Sequence, residues 1–161
     1  MQTRMQNRIQ PVVIKRILPC SKRQLFEAWS KPELMMRWLF ASQQPKAPST
    51  VNNSFTVGGA FEVVMHLQTG DYRHYGEYQA IERYSHIAFS WSSHIVQNSL
   101  VALDFKELSP NRTLLTLSHS QFPDEAVRGK HMEGWTGCLQ NLEPLLLLLV
   151  KQTKDNSDES F

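Results

Sequence analysis

The sequence predicts one α+β domain in which an opening strand and two short helices precede a run of antiparallel strands, with one long helix closing the fold. Three observations carry that expectation. Strand-length segments alternate with turn residues through the middle of the chain. Ser21 with Gln24 and Ser30 with Glu33 have capping-box spacing. Apolar residues from Val127 to Leu146 recur every three or four positions. A chain of 161 residues suits one domain, since such lengths bury roughly 70% of the unfolded surface. With 41% hydrophobic and 20% charged residues, it has the composition of a folded chain.

Ile9 to Leu18 holds Val12, Val13, Ile14, Ile17 and Leu18, a β-branched composition that predicts a strand stopped by Pro19. Ser21 and Gln24 then start a short helix with Leu25, Phe26 and Trp29 on one face. Ser30 and Glu33 repeat the device, and Pro32 fits a first turn, where its missing N–H costs little. Leu34, Met35, Trp38 and Leu39 give this second helix an inner face. From Gln43 to Ser54, Pro45 and Pro48 among Ser, Asn and Gln predict a loop.

Strands are expected around Phe55 to Val57, Phe61 to Gln68, Tyr72 to Glu82, His86 to Ser92, Leu100 to Leu108 and Thr113 to Ser120, paired as sequential hairpins. Gly58-Gly59, Thr69-Gly70-Asp71 and Ser109-Pro110-Asn111 supply turn chemistry. Val101, Leu103 and Phe105 share one strand face, as do Thr113, Leu115, Leu117 and His119. The last helix begins near Asp124, where Asp124 and Glu125 complement the positive end of the helix dipole. Its stripe runs through Val127, His131, Trp135, Cys138 or Leu139, Leu142 and Leu146, with a kink expected at Pro144. Residues 1–8 read as an N-terminal extension, 9–151 as the domain and 152–161 as a flexible polar tail.

A net charge of +2 and a scattered set of basic residues argue against nucleic-acid binding, which would call for a denser basic stripe. Cys20 and Cys138 form neither a C-x-x-C pair nor a disulfide framework and read as reduced thiols. No leader pattern opens the chain, and the apolar run from Leu145 to Val150 falls far short of the ~20 residues a membrane span needs. A cytoplasmic protein without a membrane span is the expectation, and the acceptor patterns at Asn52 and Asn111 are discounted accordingly.

Specific residues narrow the class. Leu25-Phe26-Glu27-Ala28-Trp29, Pro32-Glu33-Leu34 and Trp38 resemble the opening helices of Hsp90-activator-like domains. Gly58-Gly59 with Phe61, Gly76-Glu77-Tyr78, Phe89-Ser90-Trp91, Thr113 to Leu117 and His131-Met132-Glu133-Gly134-Trp135 follow in that family's order. The resemblance spans roughly Ile9 to Val150 and implies a helix-grip fold of the START/Bet v 1 superfamily, a curved antiparallel sheet wrapped around a long C-terminal helix. It further implies a space between sheet and helix that takes apolar ligands. A chaperone of the Hsp90 type, its ATPase stimulated, is the alternative partner, and a cyclase-like or hydrolase-like enzyme a third reading.

Phe61, Met65, Tyr78, Trp91, His119 and Trp135 are the candidate ligand-binding residues, because their segments face the groove between sheet and helix. Trp29 and Trp38 read as core. His119 follows Leu115 and Leu117 on one strand face, so it either exchanges a proton near neutral pH or, the commoner case, hydrogen-bonds a neighbour. The six histidines, at positions 66, 74, 86, 94, 119 and 131, lack metal-ligand spacing, so no metal and no cofactor is expected. No nucleophile-and-base motif is present; Glu62, His66, Tyr78, Asp104 and His119 are the residual acid–base candidates, and enzyme activity is not expected.

Overall fold

A computed structural model describes residues 8–40 and 47–159. The proposed extension at 1–8 and the start of the proline-rich segment thus fall largely outside the described residues. The elements are β1 (Val12–Leu18), α1 (Lys22–Ala28), α2 (Pro32–Met35), β2 (Ala47–Asn53), β3 (Ala60–Leu67), β4 (Gly70–Glu82), β5 (His86–Trp91), β6 (Ser99–Ser109), β7 (Arg112–Ser120) and α3 (Glu125–Glu159). The strands form one curved antiparallel sheet in the order β1-β7-β6-β5-β4-β3-β2. Strands β2 to β7 follow as a meander, and β1 closes the far edge by pairing with β7. This is the helix-grip architecture.

Register puts the alternating apolar residues on one face. Leu103 pairs with Leu117 and Phe105 with Leu115, and all four side chains are buried. On β1, Val12 and Ile14 point inward while Val13 and Ile17 stay exposed, as a period of two requires. Against this face α3 lays Trp135, Cys138, Leu139, Leu142 and Leu146, all buried. Gly76 permits the sheet to close beside the groove, because a Cβ there would stand 2.0 Å from the Ser90 carbonyl oxygen on β5.

The α1 capping box is complete. Ser21 Oγ accepts from the Gln24 N–H at 3.1 Å, and Gln24 Oε1 accepts from the Ser21 N–H at 3.0 Å. The second box does not form: Lys31 is the N-cap of α2, without a side-chain hydrogen bond, and Ser30 Oγ turns back to the Glu27 carbonyl. With Pro32 at its start the helix lasts four residues, and Trp38 and Leu39 reach the core from the turns that follow.

Two segments exchange roles relative to expectation. Ala47–Asn53 is the edge strand β2 where a loop was expected, and Phe55 to Val57, expected as a strand, forms the turn into β3 with Gly58 at φ 86°. Pro48 is tolerated because an edge strand has one side without ladder partners, and β2 carries a register shift between Ala47 and Thr50. At the C-terminus the α3 backbone stays helical to Glu159, beyond the expected start of the polar tail at residue 152. Extending an established helix needs no new nucleus, so polar residues of fair propensity prolong it. Pro144 lies inside that helix.

Candidate functional site

The groove between sheet and helix begins as an aromatic layer. Strands β3, β4 and β5 supply Phe61, Tyr78, Phe89 and Trp91, with Phe61 and Phe89 in edge contact at 5.2 Å between ring centres. Trp135 of α3 meets Trp91 at 5.1 Å, and Trp29 meets Trp38 at 4.6 Å. Trp38 Nε1–H donates to the Ala28 carbonyl at 2.9 Å, so Trp29 and Trp38 take the core roles expected of them. Within this layer the free space is only about 10 Å³, lined by Trp29, Phe61, Tyr78, Phe89, Trp91 and Trp135 among others. That is room for about one water. The indole N–H groups of Trp29 and Trp91, two of its lining residues, are buried with no hydrogen-bond partner among the described residues.

Outside the layer a cavity of about 340 Å³ opens. Met65 and Leu67 of β3, Tyr72 and His74 of β4 and Trp91 of β5 form one wall. Lys130, His131, Gly134 and Trp135 of α3 form the other, with Ser93, His94 and Ile95 from the β5–β6 connection and Phe40 at the ends. Trp91 and Trp135 line both spaces and so partition the cavity from the inner void. Of the sequence candidates, Met65, Trp91 and Trp135 meet at the cavity wall, whereas Phe61 and Tyr78 back it from the aromatic layer.

His119 lies deeper, fully enclosed behind Trp135. Trp135 Nε1–H donates to His119 Nδ1 at 2.9 Å. An indole only donates, so Nδ1 is the acceptor and the ring proton sits on Nε2, which faces Ser99 Oγ at 2.7 Å. Ser99 in turn donates to the Trp91 carbonyl at 2.7 Å. Both imidazole nitrogens are satisfied, and the series ties the Trp135 indole and the Trp91 backbone carbonyl to one buried ring. Burial first, and His131 second, hold His119 down to about 3, which leaves it neutral at physiological pH. Proton exchange near neutrality is therefore not available to it.

Several cavity residues were not singled out from sequence. Phe40, at φ 54°, stacks on His74 with ring centres 4.3 Å apart. His74 Nδ1–H donates to the Val63 carbonyl at 3.3 Å, and burial pushes this imidazole down to about 4. His131 Nδ1–H donates to the Val127 carbonyl at 2.8 Å, one helical turn back, and burial lowers its pKa as well. The available signal was the i, i+4 relation of His131 and Trp135 on the helix face that also carries Cys138 and Leu139.

The acid–base candidates do not converge. Glu62 pairs with Arg73, His66 Nδ1 with Asp71 at 2.8 Å and His86 Nδ1 with Asp104 at 2.8 Å, each a half-buried side chain with an exposed partner. Tyr78 OH accepts from Asn53 at 3.1 Å in the layer. Burial raises the thiols of Cys20 and Cys138 to about 12 and about 11, so both stay protonated. Among the described residues no group of three His, Cys, Asp or Glu side chains is placed to hold a metal ion, and no helix is long and apolar enough to cross a membrane.

A family model described as activator of Hsp90 ATPase homolog 1-like protein matches residues 19–146. Among solved structures, a protein from Chromobacterium violaceum superposes with a TM-score of 0.72 at 17% identity, covering 86% of this chain and 98% of the other. A Plasmodium falciparum protein described as an HSP90 activator gives 0.70 at 22% identity, covering 86% and 96%. CalU16 from Micromonospora echinospora gives 0.66 at 19% identity, covering 93% and 84%. These identities establish a shared fold. Among curated proteins none matches the sequence.

Proposed function

The chain belongs to the family of activator of Hsp90 ATPase homolog 1-like proteins, and from that premise we propose that it is a binding module that takes one small, largely apolar molecule between its sheet and α3. The observation that carries this reading is the cavity of about 340 Å³, walled by Met65, Leu67, Trp91, Ile95 and Trp135. Its size falls in the range of roughly 300–1,000 Å³ typical of small-molecule sites. Phe61 and Tyr78 serve such a site as rigid backing, and His119 as the anchor that fixes the rotamer of Trp135.

Gly134 offers the test. It lines the cavity from α3, and a Cβ added there meets nothing within 4 Å. Gly134→Leu therefore adds an apolar side chain in open space at the cavity wall and removes a helix-interior glycine, raising stability by about 0.5–1 kcal/mol. Native mass spectrometry of the purified protein and a fluorescence titration with N-phenyl-1-naphthylamine should show saturable binding that the variant loses. Full binding by Gly134→Leu would remove the cavity from consideration.

A second reading follows from the family's description and from the Plasmodium falciparum structure: stimulation of an Hsp90-type chaperone ATPase through the outer surface of the domain. Its test is the chaperone's hydrolysis rate with and without saturating protein.

A further inference from the structure

Apart from the phenol of Tyr72, the ionisable side chains on the cavity wall are lysine and histidine. Lys130, His74, His94 and His131 line it, from α3, β4 and the β5–β6 connection, and among the described residues no Asp or Glu does. The chain as a whole is nearly balanced, with 17 Lys and Arg against 15 Asp and Glu, so this is a local segregation. Two carboxylates of β3 and β4 are engaged elsewhere: Asp71 faces His66 and Glu62 faces Arg73.

Position along the cavity matters as much as sign. Lys130 and His94 are exposed, whereas Trp91, Trp135 and His74 are buried. The His94 ring lies 5.3 Å from that of Tyr72, another lining residue. The bottom is thus lined by aromatic rings, with the buried His74 imidazole held neutral, and the rim is basic. A neutral guest uses only the first. We infer that the cavity selects an organic anion, with an apolar body against Met65, Trp91 and Trp135 and a carboxylate, sulfonate or phosphate head at the rim facing Lys130 and His94. This inference rests on the binding-module reading above and names the class of its ligand.

The energetics favour that orientation. A head group at the rim keeps part of its hydration, so the desolvation that penalises a buried charge is small. A charge-assisted contact with an exposed ammonium adds affinity that an uncharged guest cannot gain. Inverting the charge at Lys130 replaces that attraction by repulsion and leaves the apolar wall intact.

The experiment uses a matched pair of dyes, 8-anilinonaphthalene-1-sulfonate and N-phenyl-1-naphthylamine, which share one skeleton and differ by the sulfonate. Both are titrated into the full chain, into Lys130→Glu and into Lys15→Glu, a control at an exposed position on β1 with the same change of net charge. The expected result is that Lys130→Glu lowers the ratio of sulfonate to neutral affinity by about tenfold or more, while Lys15→Glu leaves that ratio within about twofold. Saturable binding of both dyes with an unchanged ratio in Lys130→Glu, or an equal change in both variants, overturns the inference and leaves the binding module standing. If neither dye binds saturably to the unsubstituted chain, both fall together.

Discussion

His119 stays neutral between Ser99 and Trp135, and this determines how the fold responds to acid. Its folded pKa is about 3, and that of His74 about 4, against an ordinary value of 6.5. Below pH 6.5 the unfolded chain takes up protons that the native chain refuses, so stability is complete above that point and falls as the pH drops toward 4. Each imidazole contributes a slope of about 1.4 kcal/mol per pH unit, or about 2 kcal/mol between pH 6.5 and pH 5. Urea unfolding of the native chain and of His119→Gln, at about pH 7 and about pH 5, should show a smaller acid loss in the variant. Equal losses would remove His119 from the acid response. The inward direction of His119 was legible from Leu115 and Leu117. Its partners were not, because positions 99 and 135 meet it only after a β-hairpin closes and a helix packs.

Elements with a strong local signal were the readable ones. The α1 cap depends on two residues three apart, and the stripe of α3 repeats over several turns, so both need no knowledge of neighbours. Strand β2 was read as a loop because Pro48 is costly in a central strand, and only the assembled sheet reveals that it lies at an edge. The same dependence on assembly hid the basic lining of the cavity, since His74, His94 and Lys130 come from three elements with no common spacing. At this scale α3 also retains slack. Gly129 and Gly137 lie inside the helix, and an added Cβ meets nothing within 4 Å at either. Gly129→Ala and Gly137→Ala should each raise stability by about 0.5–1 kcal/mol, additively, in chemical denaturation. Destabilisation by either would mean that the helix requires the glycine for a reason other than space.

One continuous core joins the sheet, the early helices and α3, with Trp29, Phe61, Trp91 and Trp135 in the same cluster of side chains as Leu117 and Leu146. A guest in the cavity therefore touches the unit that unfolds cooperatively, and its binding energy appears as stability of the whole molecule. A ligand that binds only the native state stabilises it by about 2.7 kcal/mol at a free concentration a hundred times its dissociation constant. For a domain of this size that corresponds to a rise in Tm of roughly 5–10 °C. Calorimetry with excess 8-anilinonaphthalene-1-sulfonate should show such a rise in the unsubstituted chain and none in Gly134→Leu, whose own Tm without dye should be the higher of the two. Dye held loosely on the surface would shift both proteins alike, and that outcome would separate surface adsorption from occupation of the cavity. Chaperone stimulation through the outer surface would survive in Gly134→Leu, because position 134 lies on α3 at the cavity wall and not on the β1 edge or the outer sheet face.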